Sequence, residues 1–406
     1  MKTQSARPSN VAITLGLCFA VALLEGVDLQ SIGVAGTRMA HEFGMSVNQM
    51  GVLFSAGTLG LLPGAIFGGR LADRIGRRPV LILSTVVFGL LSVATSFASG
   101  FEAFMLARVL TGVGLGGALP NLIAFAAESV SPRARNTAVS FVYCGIPLGG
   151  VAAALVGVLS GGDSGWRQIF YFGGALPLLL APFLWKFLRE STAFGNAARH
   201  GVATSIPMRE VLFGGQRRYA TLLLWGSYFA TLIVLYFLLN WLPSLMAARG
   251  LGRAEAGFVQ ISFNVGSGIG VLCIGILMDR LRAGTVLSAV YLGVVISLAA
   301  LAVSPVAHAL TMSAFFAGMF VTGGQSILYA LSAAYYPTAM RGTGVGAAVA
   351  VGRIGSIVGP LAAAHLLSMG HSSSTVIGAS IPVILIAAAA ALLLLTQPRA
   401  EEPAGQ

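Results

Sequence analysis

The sequence predicts an all-α membrane protein: twelve transmembrane helices in two pseudo-symmetric halves of six. Three observations carry that expectation. Of 406 residues, 56% are hydrophobic and only 9% are charged, with a mean hydropathy of +0.86; a water-soluble chain of this length has no way to cover so much apolar surface. Twelve apolar runs are long enough to span a bilayer, centred near residues 23, 58, 90, 114, 149, 178, 232, 267, 295, 320, 356 and 385. Finally, the basic residues sort by side. With the N-terminus inside, eighteen Lys and Arg fall in inner segments, four (Arg38, Arg167, Arg249, Arg253) in outer ones, and two (Arg108, Arg353) within spans.

That positive-inside pattern predicts that both termini face the cytoplasm. It also accounts for the net charge of +11 without nucleic acid as a partner. The first run carries two acids, lacks a small-residue cleavage pattern and precedes eleven more spans, so it reads as a span and not a leader. Cys18, Cys144 and Cys273 lie in apolar runs at no metal-ligand spacing and are expected to be buried thiols.

The longest polar interruption, 189–218, divides the chain into an N-terminal half, 1–188, and a C-terminal half, 219–406. A constant offset of 206 then relates Gly69, Asp73 and Arg74 to Gly275, Asp279 and Arg280, Gly112 and Gly117 to Gly318 and Gly323, Arg135 to Arg341, and Gly149 to Gly355. Repeats of this kind recur in transporters. Polar residues in the spans that lack a counterpart are then candidates for chemistry instead of scaffold. Glu25 maps onto Thr231, Asp28 onto Val234, Arg108 onto Ala314 and Arg353 onto Pro147.

Taken in chain order, the first span reads LLEGVDLQ, with Glu25 and Asp28 within a turn on one face. A carboxylate at bilayer depth costs at least ~2.5–3.5 kcal/mol, so two together need a polar partner or a protonation role. The second span leaves through GGRLADRIGRR, Gly68–Arg78, where Gly69 and Gly76 are expected to permit close approach and a tight turn. In the fourth span, LARVLTGVGLGGALPN, Arg108 lies at the depth of the two acids. It can hold one carboxylate ionised while the other keeps a proton, or form a static ion pair. The seventh span sets Tyr228, Tyr236 and Asn240 at multiples of four, and the tenth adds Gln325 and Tyr329. They offer a flat wall with hydrogen bonds for an aromatic ligand, or simple packing. Arg353, near the middle of the eleventh span, is expected to be unpaired and ready for a carboxylate, or else to reach the inner interface. No nucleophile triad, phosphate loop or metal cluster is present, so no enzyme activity, cofactor or metal is expected.

GGRLADRIGRR and its degenerate copy GILMDRLR, Gly275–Arg282, closely resemble the loop signature of the major facilitator superfamily. Within it, EGVD is similar to the D-G-x-D of the aromatic acid:proton symporters, matching at Gly26 and Asp28, with Glu25 in place of the first aspartate. LGLCFAVALLEGVDLQ, GVGLGGALPNLIAFAAE, FLLNWLPSLM and GGQSILYALSAAYY narrow the resemblance to the members that carry 3-(3-hydroxyphenyl)propionate. The resemblance implies uptake of an aromatic acid with protons through the inner (plasma) membrane; a monomer is expected. Glu25, Asp28 and Arg108 would couple the proton, and Arg353 with the aromatic stripe would bind substrate. Gly69, Asp73, Arg74, Arg77, Glu128, Asp279 and Arg341 would gate the movement. The competing reading is a proton-driven efflux antiporter for amphipathic compounds. Many of those carry G-x-x-x-G-P in the fifth span, where this chain has GIPLGG, Gly145–Gly150.

Overall fold

The computed structural model describes residues 11–131, 134–190, 208–214, 217–336 and 340–398; the side chains of Asn136, Asp163, Asp279, Ala333 and Arg341 fall outside that description. Most of the 189–218 linker therefore lies outside it, as do the gating roles expected of Asp279 and Arg341. The helices are α1 (Val11–Phe43), α2 (Val47–Ile75), α3 (Arg77–Ser96), α4 (Phe101–Glu128), α5 (Arg135–Tyr143), α6 (Gly145–Leu159), α7 (Trp166–Phe187), α8 (Met208–Phe213), α9 (Arg217–Ala248), α10 (Arg253–Arg280), α11 (Ala283–Val303), α12 (Ala307–Tyr335), α13 (Arg341–Ser368) and α14 (Ser373–Leu394). Twelve spans among the described residues are long and apolar enough to cross a membrane, α5 and α6 together forming the fifth. The break at Cys144 has a local cause. Pro147 lacks the N–H that would bond the carbonyl of Tyr143, four residues earlier.

By packing, the chain forms two compact units, Met1–Ser31 with Ala56–Val202, and Ile32–Ser55 with Ala203–Gln406. In unit 1, α3 packs on α4 and α7; in unit 2, α11 packs on α12 and α14, α9 on α13 and α10 on α12. The 206-residue offset reappears as repeated backbone contacts. A Cβ on Gly60 would run into the backbone of Val109, and one on Gly266 into that of Phe315. Gly64 meets Val113 as Gly270 meets Met319, and Gly149 meets Leu23 as Gly355 meets Phe229. With little hydrophobic drive between helices in lipid, such close backbone contact supplies the packing, and only glycine allows it. Duplicated small residues thus set the closest helix contacts inside each unit.

Phe67, Leu90, Leu106, Leu179 and Phe183 in unit 1, and Ile276, Leu292, Ile296 and Ile386 in unit 2, are each more than half exposed. In water these would be large apolar patches; on spanning helices they form the face that meets lipid tails. Cys273 belongs to that face: it is exposed, whereas Cys18 and Cys144 are buried as expected. An apolar run has two sides, and hydropathy alone does not say which one a thiol is on.

The α1–α2 hairpin, Ile32–Ser55, packs with unit 2. Ser55 Oγ donates to the Ile357 carbonyl at 2.8 Å, and Phe54 meets Trp241 edge-on with centroids 4.9 Å apart. Trp241 Nε1 in turn donates to the Pro360 carbonyl at 3.0 Å, which fixes the indole.

Candidate functional site

In unit 1, α1 carries Glu25 and Asp28 one turn apart, both fully buried, and α4 supplies Arg108, 1% exposed. Arg108 Nη1 donates to Asp28 Oδ1 at 3.0 Å. Its Nη2 donates to Oδ2 at 2.9 Å and to the Asp28 carbonyl at 3.3 Å. This fork-on-fork geometry is the strong form of the pair, and it uses the planar guanidinium in a way an ammonium could not match. The guanidinium also lies 5.5 Å from the ring centroid of Phe170 on α7. Gly26, between the acids, is required by packing: a Cβ there would overlap the backbone of Ile146 on α6. The E-G-x-D pattern therefore presents two acids on a helix that α6 can still approach.

Glu25, Asp28 and Arg108 are the fully buried ionisable charges among the described residues. Two carboxyls and one guanidinium thus share this layer, and Asp28 is the carboxyl that the guanidinium holds.

In unit 2, α9 lines up Tyr228, Tyr236 and Asn240, all buried. Arg353 on α13 is half-buried; its Nη1 donates to Tyr236 Oη, and its guanidinium carbon lies 5.9 Å from that ring's centroid. This corrects the expectation of an unpaired guanidinium. A phenol can partner a cation by accepting a hydrogen bond without adding a countercharge, so the positive charge at Arg353 is not cancelled by this contact. Tyr228 meets Tyr329 of α12 edge-on, centroids 5.6 Å apart, and its hydroxyl lies 3.4 Å from Ser332 Oγ. Asn240 Nδ2 turns back to the Tyr236 carbonyl at 2.8 Å. Gln325 is buried on α12, one turn before Tyr329.

At the loop after α2, Arg77 pairs with Glu128 at the end of α4, while Asp73 and Arg74 are exposed. Gly69 does not serve close approach, since a Cβ there would meet nothing within 4 Å. Its neighbour Gly68 instead meets Gly117 of α4. One residue along a helix turns ~100°, and the sequence does not say which of two adjacent glycines faces the partner. Gly76 makes the turn at φ +99°, a conformation that favours glycine.

Glu190, just past α7, went unnoticed in the sequence. Its carboxylate accepts the backbone N–H groups of Arg77 at 3.1 Å and Arg78 at 3.1 Å. It thereby caps the N-terminus of α3 with the charge a helix dipole favours there. The available signal was an acid directly after a span, within a basic segment. Gln260 and Asn264 on α10, both fully buried, were also passed over.

The sequence pattern of the Major Facilitator Superfamily matches residues 18–252 and 224–406. The chain is 46% identical over 384 residues to the 3-(3-hydroxy-phenyl)propionate transporter of Escherichia coli strain K12, covering 95% of this chain and 94% of that one. It is 33% identical over 389 residues to the gallate transporter of Pseudomonas putida, covering 88% and 86%. The crystal structure of a D-xylose–proton symporter shares its fold, with a TM-score of 0.77 at 19% identity over 96% of this chain and 98% of that one. Twelve apolar helices on a duplicated frame and full-length likeness to named transporters agree: this is a multi-pass membrane transporter, not an enzyme, and the chain belongs to the Major Facilitator Superfamily.

Proposed function

We propose that the protein takes up an aromatic carboxylate together with protons across the inner membrane by alternating access, both termini facing the cytoplasm. The substrate is 3-(3-hydroxyphenyl)propionate or a close phenylpropionate. The observation that carries this reading is the buried layer of two carboxyls and one guanidinium in unit 1. Likeness over nearly the whole chain to a 3-(3-hydroxy-phenyl)propionate transporter supports the substrate. In this reading Arg108 holds Asp28 while the acid pair exchanges one proton. Arg353 receives the substrate carboxylate, Tyr228, Tyr236, Asn240, Gln325 and Tyr329 flank the ring, and the Arg77–Glu128 loop steadies one end state of the movement.

The energetics are consistent with that division. An arylpropionic acid titrates near a glutamate side chain, at about 4.3, so it is an anion at neutral pH. A negative interior opposes its entry by ~2.3 kcal/mol per charge per 100 mV. One co-transported proton cancels that electrical cost and adds the drive of the pH gradient. The test is radiolabelled uptake into cells lacking other aromatic-acid carriers. Uptake should rise as the outside pH falls and collapse with a protonophore. Uptake indifferent to the protonophore, or outward movement of cationic amphiphiles, would give the case to efflux.

A further inference from the structure

We propose that Gln260 and Asn264 form the subsite that recognises the ring hydroxyl of a hydroxylated aromatic acid. This inference rests on the uptake reading above and adds the residues that set its selectivity. The duplicated frame supplies the first argument. Because Gly266 meets Phe315 as Gly60 meets Val109, α10 and α2 are equivalent in register, and Gln260 and Asn264 stand where α2 has Phe54 and Thr58. The same helix contact is thus built elsewhere in this chain without carboxamides, so packing does not demand them.

The second argument is burial. Both side chains are fully buried, one turn apart on α10, at a depth where a polar group is costly unless it is hydrogen-bonded. Gln260 bonds to α9, and a serine one turn along α10 bonds to α12. Asn264 Nδ2 donates to the Gln260 carbonyl at 3.0 Å. Gln260 Nε2 reaches the carbonyl of Leu239, the neighbour of Asn240, at 3.5 Å. One turn further along α10, Ser267 Oγ accepts from Thr322 Oγ1 at 3.0 Å, three residues before Gln325. A polar strip therefore crosses from α9 through α10 to α12.

The third argument is chemistry. A carboxamide offers both donors and an acceptor, so it can take a phenol O–H and give an N–H to the same oxygen. Being neutral, it does not compete with Arg353 for the carboxylate at the other end of the molecule. A site built to hydrogen-bond a substrate hydroxyl disfavours the analogue that lacks it.

The experiment measures kcat/KM for uptake of 3-(3-hydroxyphenyl)propionate and of 3-phenylpropionate by the full chain. Wild-type protein should prefer the hydroxylated acid. Gln260→Met and Asn264→Leu should each lower that preference about tenfold, the loss of roughly one hydrogen bond, with 3-phenylpropionate uptake changed less than about twofold. Gln260→Asn keeps an amide but withdraws it by one methylene, and should shift the ratio in the same direction if the larger changes do not fold. A wild-type ratio near one, or variants in which both acids fall together, would overturn the subsite. Wild-type protein that carries neither acid would overturn the uptake reading itself, and the subsite with it.

Discussion

Asp28→Asn separates two things the Asp28–Arg108 pair can do: hold the fold and set the demand for a proton. Breaking a buried pair by removing one partner typically costs ~3–5 kcal/mol, because a charge is left uncompensated. Here the replacement amide keeps one acceptor oxygen, and the backbone carbonyl of residue 28 still accepts from Arg108 Nη2 at 3.3 Å. The cost should therefore sit near the low end, about 3 kcal/mol, with Asp28→Ala nearer 5. The charge count changes more decisively. Under the proposed coupling the buried layer of Glu25, Asp28 and Arg108 takes up one proton, and an amide at 28 removes one of the two carboxyls that could carry it. The variant should still exchange substrate for substrate across a proteoliposome membrane but no longer accumulate it against an imposed pH gradient. Adding Arg108→Gln should recover part of the lost thermal stability and none of the accumulation, since members of one buried network are not additive. Accumulation retained by Asp28→Asn, with its pH dependence unchanged, would refute the reasoning and leave the pair a static brace.

Three further outcomes follow from other contacts. Arg353→Lys replaces a fork with a point charge, and should weaken binding of the acid while hardly changing binding of its neutral amide, by equilibrium binding; Arg353→Ala should weaken it more. Gly76→Ala puts a side chain into a left-handed turn at about 1–2 kcal/mol and against Glu190. That change and Glu190→Gln should alter the exchange rate in counterflow more than substrate affinity, as should Asp73→Asn. Gly149→Leu and Gly355→Leu each drive a side chain into a neighbouring helix's backbone, and both should prevent recovery of folded protein in detergent.

How far the sequence could be read depends on what periodicity and charge encode. Apolar runs and the sidedness of Lys and Arg suffice for twelve spans, because lipid forces every span to satisfy its own backbone. The offset of 206 marks Gly149 and Gly355 as equivalent, and both lie against the backbone of a neighbouring helix. The meeting of Asp28 with Arg108 was legible from shared depth. The partner of Arg353 was not, since it is the phenol of Tyr236, which carries no charge to mark it in the sequence. Glu190 was missed because its target is two backbone N–H groups, which leave no trace in side-chain pattern. Gly69 and Cys273 were misassigned for one reason: rotation about a helix axis is fixed by tertiary contact, not by hydropathy.

The two copies of the frame differ in their buried polar groups. Unit 2 has Thr231 and Val234 where unit 1 has the acids, and Thr231 is bound into a neutral cluster, its Oγ1 3.0 Å from Tyr291 Oη. Ser227 Oγ, 3.2 Å from the same phenol, donates onward to the Ala387 carbonyl at 3.0 Å. Hydroxyls satisfy one another at depth without the cost of a charge. The buried acid pair is thus confined to unit 1 and Arg353 to unit 2, so under the proposed uptake the proton and the carboxylate would be received by different copies of one frame.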